Sequence, residues 1–414
     1  MSEKTIIIVG GGAAGFFCAV NAARLNPELE VILIEKTNKL LAKVGVSGGG
    51  RCNVTNACDD IDEMIKKYPR GPHFLKKAFY SFFTTDTIKW FEERGVKLKT
   101  EPDNRVFPVT DSSQTVIDCL IEEAAQWGVK IWTNTEVKGI DRENGFFSVR
   151  LAGERIIRAA RVCIASGGYP KSSMFQWMRN LGVAIEDPVP SLFTFNIPAD
   201  PIIDLQGISL EDVSAKILDI GLSERGAVLI THWGLSGPLI LKLSAWGARE
   251  LASGNLPSGQ PYHFKLSVNW LPEMKEPALR EILQSYRSGS GSKKIISNCP
   301  FALAKRLWEY LVLQSGITEL TRWAELTSKG QIALLRNLHA QVFEVKGKTT
   351  FKEEFVTSGG IQLSEINPLT MECKKIPGLY FAGEAMDVDG ITGGYNFQHA
   401  WTSGYIAGKS MANR

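Results

Sequence analysis

The chain has 414 residues, enough at roughly 100–200 residues per domain for two or three domains with real cores. With 44% hydrophobic and 22% charged residues, it is neither a disordered chain nor a disulfide-stapled miniprotein. Lys plus Arg number 47 against 44 Asp plus Glu, and the resulting net charge of +3 gives no reason to expect nucleic acid or a membrane surface as partner.

Seven cysteines stand at 18, 52, 58, 119, 163, 299 and 373, with no C-x-x-C and no zinc-spaced Cys/His cluster, so no metal site is expected. An odd, scattered set fits a reducing compartment, and a cytoplasmic location is the expectation. The apolar stretch 6–25 is interrupted by four glycines and Asn21, unlike a signal peptide. No other run reaches about 18 apolar residues.

Residues 5–9 (TIIIV) read as a buried parallel strand. GGGAAG (10–15) follows and fits G-x-G-x-x-G at Gly10, Gly12 and Gly15; then come a helix over 16–25 and a second strand over 31–34. Glu35 stands 20 residues after Gly15. In this pattern Gly10 permits a tight turn, Gly12 lets backbone approach a pyrophosphate, and Gly15 lets the helix pack closely on the strand. The helix N-terminus offers N–H groups and partial positive charge to phosphates. Glu35 suits an unphosphorylated ribose diol, which favours FAD or NAD over NADP.

SGGGRCNVTN (47–56) reads as a loop whose amides can approach a ligand. A helix is expected near 87–94, with Asp86 as its cap and Gly95 as its stop. Another is expected over 113–127, with Ile117, Leu120, Ile121 and Ala124 on its apolar face. Residues 129–165 read as a β meander that runs into SGG (166–168). From about 195 to 350 the texture changes to an inserted domain, part β and part helical. It contains HWGLSGP (232–238), a Ser/Gly tract (288–292) read as a flexible hinge, and helical segments near 300–314 and 320–339. Strand and glycine motifs then return in TSGGI (357–361) and GLYFAGE (378–384). DVDGITGGYNFQHAW (387–401) enters a final helix with Phe397, Ala400, Trp401 and Gly404 on one face.

Six motifs spread over nearly the whole chain carry a family resemblance: GGGAAG (10–15), SGGGRCNVTN (47–56), NRVFPVT (104–110), THWGLSGP (231–238), FVTSGGI (355–361) and GLYFAGEAMDVDGITGGYNFQHAW (378–401). The chain resembles the two-dinucleotide-binding-domain-type flavoproteins, and within them the bacterial group that includes bile-acid steroid reductases and aminoacetone oxidases. The resemblance implies an α/β fold with a Rossmann-like, glutathione-reductase-type FAD domain. That domain would be discontinuous, over 1–194 and 351–414, with a β-rich plus helical domain inserted over 195–350.

The resemblance also implies roles. Gly10, Gly12 and Gly15 would form the pyrophosphate turn, with Ala13 and Ala14 opening the helix. Glu35 and Lys36 would contact the adenosine ribose, and the Val137 backbone the adenine. Gly49, Gly50, Cys52 and Asn53 would run beside the flavin and ribityl chain. Ala165, Ser166 and Gly167 resemble the family's Ala-Thr-Gly turn, with Ser keeping the hydroxyl. Gly383 and Glu384 match a ribityl and phosphate motif in which related proteins often have Gly-Asp. Gly394, Tyr395, Asn396 and Phe397 would begin a helix aimed at the flavin pyrimidine. His399, near that turn, reads as a helix residue without chemistry.

The expected function is FAD-dependent hydride transfer involving a small organic substrate or NAD(P)H. No second strand–G-x-G-x-x-G–helix unit is present, so NAD(P)H, if it serves as transient donor, is expected in the cleft between the FAD domain and the insert; otherwise a small substrate reduces the flavin and oxygen is the candidate acceptor. Arg51 and His232 are the candidate substrate-side groups, the first for an anion and the second for a proton. Each also admits a structural role. Two other functions stay open: a disulfide reductase-like protein using Cys52 and Cys58, and a flavin-binding module without turnover. The oligomeric state is not legible.

Overall fold

The computed structural model describes residues 4–350 and 356–413. Phe355, the first residue of FVTSGGI, and the expected boundary at 351 lie outside them. The chain divides into two compact units, Met1–Ser191 with Phe351–Arg414, and Leu192–Thr350.

The first unit is built on a five-stranded parallel sheet. Its strands are β1 (Thr5–Val9), followed by helix α1 (Ala13–Leu25), then β2 (Glu30–Ile34), β3 (Lys130–Trp132), β4 (Arg161–Ile164) and β5 (Leu379–Phe381). The spatial order is β5-β4-β1-β2-β3. Val9 pairs with Ile34 on one side and Ile164 on the other. All of β1 is buried, as a parallel strand covered on both faces requires. The order reverses between β1 and β4, so their carboxyl ends open the crevice where ligands bind in such sheets.

Helix α2 (Tyr395–Ala412) ends the described chain and packs along α1. The contact needs small residues. A Cβ at Gly404 would stand 2.6 Å from Ala14 O, and one at Gly408 would stand 2.5 Å from Cys18 O. Phe17 fills the space beside this crossing, with its ring against Phe82, Trp90, Phe91 and Trp401.

Several local expectations need correction. Asp86 is not the cap residue: its helix spans Thr84–Glu92, and the Asp86 carboxylate reaches back to accept from Phe83 N–H at 2.7 Å. In the helix Gln114–Gln126 the core face is Val116, Cys119, Leu120 and Ala124, and Ile121 is exposed. The meander is only its middle three strands, Val137–Glu143, Phe146–Leu151 and Ile156–Ala159. The runs on either side became β3 and β4, because a buried apolar run does not reveal which sheet it joins.

In the second unit seven strands form one sheet. Gln341–Lys346 pairs with His263–Asn269 at one end, and Lys348–Thr349 pairs with Thr194–Asn196 at the other. Only Gly347, at φ +97°, separates those end strands, so the sheet closes on itself as a barrel. Helices Glu276–Gly289, Lys305–Gln314 and Ser328–His339 complete a core containing Phe195, Trp270, Trp308 and Trp323. The Ser/Gly tract is not a hinge between bodies. Ser288 and Gly289 finish a helix, Ser290 N–H bonds back to Tyr286 O at 2.8 Å, and Gly291 O accepts from Ala324 at 3.0 Å.

Candidate functional site

The three fingerprint glycines behave differently. A Cβ at Gly10 would stand 2.3 Å from Ala165 O, and one at Gly15 would stand 1.9 Å from Gly10 O; at Gly12 it would meet no atom of the described residues within 4 Å. The turn is therefore pressed against β4's exit on one side and open at Gly12. Helix α1 has no side-chain cap and no acid in its first turn, so its leading N–H groups and positive end face that opening. Glu35 tightens the turn from below: Oε2 accepts from Gly11 N–H at 2.9 Å, and Oε1 accepts from the Thr37 backbone and hydroxyl, both at 2.9 Å. Exposed Lys36 lies 5.8 Å from the Tyr169 ring centroid.

The turn after β4 brings Ala165 and Ser166 against Gly10, and Gly167 follows at φ +73°. Gly168, next in chain, lets two other segments come close: its Cβ position lies 2.4 Å from Thr357 Oγ1 and 2.8 Å from Glu384 Oε1. Glu384 accepts from Thr357 N–H at 2.9 Å and pairs with Lys43 at 2.5 Å. Ser166 Oγ, Thr357 Oγ1 and Ser358 Oγ are buried without a hydrogen-bond partner among the described residues. Gly383 lies against Ala14 of α1, and its N–H donates to Ser403 Oγ at 2.8 Å. Its carbonyl meets His399 Nε2 at 3.1 Å. Burial pushes His399 down to about 4, so the ring is neutral near pH 7.

The SGGG segment is not a plain loop. It ends a helical stretch, Ala42–Gly50, in which Ser47, Gly48 and Gly49 leave helical geometry. Among the described residues, Cβ positions at Gly49 and Gly50 meet nothing within 4 Å. Asn53 is buried and committed to backbone: its amide oxygen accepts from Gly394 N–H at 2.9 Å, and its nitrogen donates to Thr55 O at 2.9 Å. It thereby holds the start of α2. Tyr395 is buried, with its carbonyl accepting from Tyr68 Oη at 2.7 Å. Asn396 grips both polar groups of the Gly390 backbone at 2.9 Å. Phe397 stacks on Trp401 at 5.7 Å. Helix α2 has no side-chain cap and no acid in its first turn.

Val137 opens a strand opposite Leu151 and is half-buried. Arg51 is not a free anion receptor: Glu101 pairs with it at 2.7 Å, Asp111 at 3.6 Å, and its guanidinium lies 4.0 Å from the Phe107 ring centroid. His232 belongs to the second unit, exposed on a turn beside Trp233, with ring centroids 4.7 Å apart. Cys52 is buried, and burial pushes its thiol up to about 12; Cys58 is also raised by burial. Neither is the accessible, lowered thiol of a redox pair. Sequence reasoning missed Lys43, Thr357, Arg70 and Asp389, whose partners are far away in the chain. It also missed Gln398, whose Oε1 accepts from Thr55 and Thr87 hydroxyls at 2.6 and 3.0 Å.

The sheet order and the open glycine turn define a Rossmann-like dinucleotide-binding domain, and comparison with known proteins identifies the class as FAD-dependent oxidoreductases. The chain belongs to the HI0933-like protein Rossmann domain family, which it matches over residues 4–410. It is 28% identical to the 3-dehydro-bile acid delta(4,6)-reductase of Clostridium scindens, over 98% of each chain. It is 29% identical to the ribosomal RNA dihydrouridine synthase of Escherichia coli, over 99% of this chain and 98% of that one. The 3-ketosteroid-delta4-(5alpha)-dehydrogenase from Rhodococcus jostii RHA1 shares the fold, with a TM-score of 0.52 at 12% identity over 100% of this chain and 98% of that chain.

Proposed function

We propose that this FAD-dependent oxidoreductase reduces a carbon–carbon double bond conjugated to a carbonyl, with NADH or NADPH as the source of electrons. The observation that carries this reading is the end-to-end similarity to two enzymes whose names specify that chemistry. One removes unsaturation from a 3-oxo bile acid and the other saturates the uridine ring. The favoured substrate is a small conjugated enone. The second substrate, uridine in ribosomal RNA, is favoured by the 29% identity to the dihydrouridine synthase, against the expectation from near-neutral charge that no nucleic acid binds.

The residues fit FAD. Bound FAD supplies the hydride-transfer chemistry that no side chain offers. Gly12 with the first turn of α1, from Ala13 to Gly15, would hold the pyrophosphate, since that turn is open and its N–H groups have no side-chain cap. Glu35 would share its carboxylate, which has about four acceptor sites, between Gly11, Thr37 and a ribose. The hydroxyls of Ser166, Thr357 and Ser358, which have no partner among the described residues, suit a polyhydroxylated chain, and the Lys43 partner of Glu384 neutralises a carboxylate that would otherwise repel phosphate. The α2 N-terminus at Gly394 would stabilise negative charge on a nearby ring. Arg51 and Cys52 then act as supports for the Gly49–Asn53 segment.

Anaerobic mixing tests the reading. NADH or NADPH should bleach the flavin band, and a 4-en-3-oxo steroid should restore it with loss of the enone absorbance. Unmodified ribosomal RNA as the oxidant, with dihydrouridine as product, would support the second substrate. A flavin reoxidised only by oxygen would refute both.

A further inference from the structure

The first unit buries an ion pair that the dinucleotide fingerprint does not require. The Asp389 side chain is 0% exposed and that of Arg70 is 10% exposed. Arg70 donates through Nε to one carboxylate oxygen and through Nη2 to the other. Ser191 Oγ adds a third bond to the carboxylate, at 2.7 Å. A buried ion pair contributes little net stability compared with apolar residues of similar volume, whereas its fork geometry fixes direction.

What it fixes is the loop before α2. Asp389 begins the segment 389–394 that leads into Tyr395. The stretch 67–70 grips that segment repeatedly: Lys67 O accepts from Ile391 N–H at 3.0 Å, Tyr68 Oη donates to Tyr395 O at 2.7 Å, and Arg70 and Asp389 also form a backbone bridge. Asn56 donates to Gly393 O at 3.2 Å from another direction. Gly393 and Gly394 have φ of +131° and +92°, so no helical propensity holds them in place.

We propose that Arg70 and Asp389 are positioning residues, a buried bidentate clamp that sets the 389–394 loop, and with it the uncapped N-terminus of α2, in the form that receives the flavin end of FAD. The proposal rests on the FAD reading above. It assigns neither residue to chemistry.

The test uses the full chain as apoprotein, with urea unfolding, FAD affinity from flavin fluorescence quenching, and amide exchange of residues 389–396 without FAD. In the double variant Arg70→Met with Asp389→Leu, which replaces the pair by apolar groups, the urea midpoint should stay near that of the parent. FAD Kd should rise roughly tenfold or more, and loop amides should exchange roughly tenfold faster. Arg70→Lys keeps the charge without the fork and should also weaken FAD, by roughly threefold or more. A folded double variant with parental Kd and parental exchange overturns the proposal. If the double variant does not fold, Ser191→Ala removes one bond to the carboxylate and should raise Kd by roughly twofold to fivefold; no change in Kd or exchange overturns the proposal. If the parent protein takes up no FAD, the FAD reading fails by itself, and exchange decides: equal loop exchange in parent and variant overturns the clamp, and faster exchange in the variant supports it.

Discussion

Gly404 of α2 and Ala14 of α1 touch backbone to backbone: a Cβ at 404 would stand 2.6 Å from the Ala14 carbonyl oxygen. One turn later Gly408 repeats the relation with Cys18. The helix that opens at Gly394 is thereby seated on the helix that opens at Gly12. Gly404→Val must part them, and overpacking of this kind costs about 1–3 kcal/mol. Urea unfolding should show a lowered midpoint with a nearly unchanged slope. A midpoint equal to that of the parent would mean that the helices are not in close contact.

Gly15 and Gly12 should respond oppositely to the same substitution. Gly15→Ala places a methyl group 1.9 Å from Gly10 O and should destabilise the fold toward the upper end of about 1–3 kcal/mol. Gly12→Ala fills open space at an extended backbone, φ −92° and ψ −171°, and should leave the thermal midpoint nearly unchanged. Thermal melts of the two apoproteins settle the contrast, and equal losses would contradict it.

His399 predicts a pH dependence. Folded His399 stays neutral down to about pH 4, whereas its unfolded value is 6.5. Between those values the unfolded state binds more protons, so stability rises with pH. The contribution is complete above the unfolded pKa and is lost as pH falls through the window, by roughly 3 kcal/mol at most, since one unit is worth about 1.4 kcal/mol. His399→Gln should flatten the difference between urea midpoints at pH 7.5 and 5.0. An equally steep dependence in the variant would assign the effect to other groups.

The burial of Cys52 argues against a dithiol cycle. With its thiol pushed up to about 12 and no exposed surface, it should not react with a thiol reagent in the native protein at pH 8. Counting accessible thiols before and after anaerobic reduction by NADH should give the same number. Two additional thiols after reduction would restore the disulfide reductase reading.

The part of the site legible in the sequence is the contiguous part. β1, the glycine turn, α1, β2 and Glu35 lie within 35 residues, and each glycine's job follows from local geometry. The pairings that complete the site join residues far apart, and periodicity carries no information about such partners. Lys43 meets Glu384, Asn53 meets Gly394, and Arg70 meets Asp389. The family resemblance implies a place for Asn53 beside the cofactor, and the bonds of its side-chain amide to the Gly394 and Thr55 backbone are not legible in the sequence. The β3 and β4 runs looked like meander strands because short apolar segments do not declare a partner. Asp86 looked like a cap because a capping acid three residues inside the helix leaves nearly the same local signature.

The central claim, that the Gly12 turn and the start of α2 hold one FAD, is tested most directly by titrating the apoprotein with FAD and following the quenching of flavin fluorescence. One equivalent should bind to give a yellow protein, and Gly12→Val, which fills the opening, should lose that binding while remaining folded. A parent protein that stays colourless, or a folded Gly12→Val variant that binds FAD as tightly as the parent, would contradict the account.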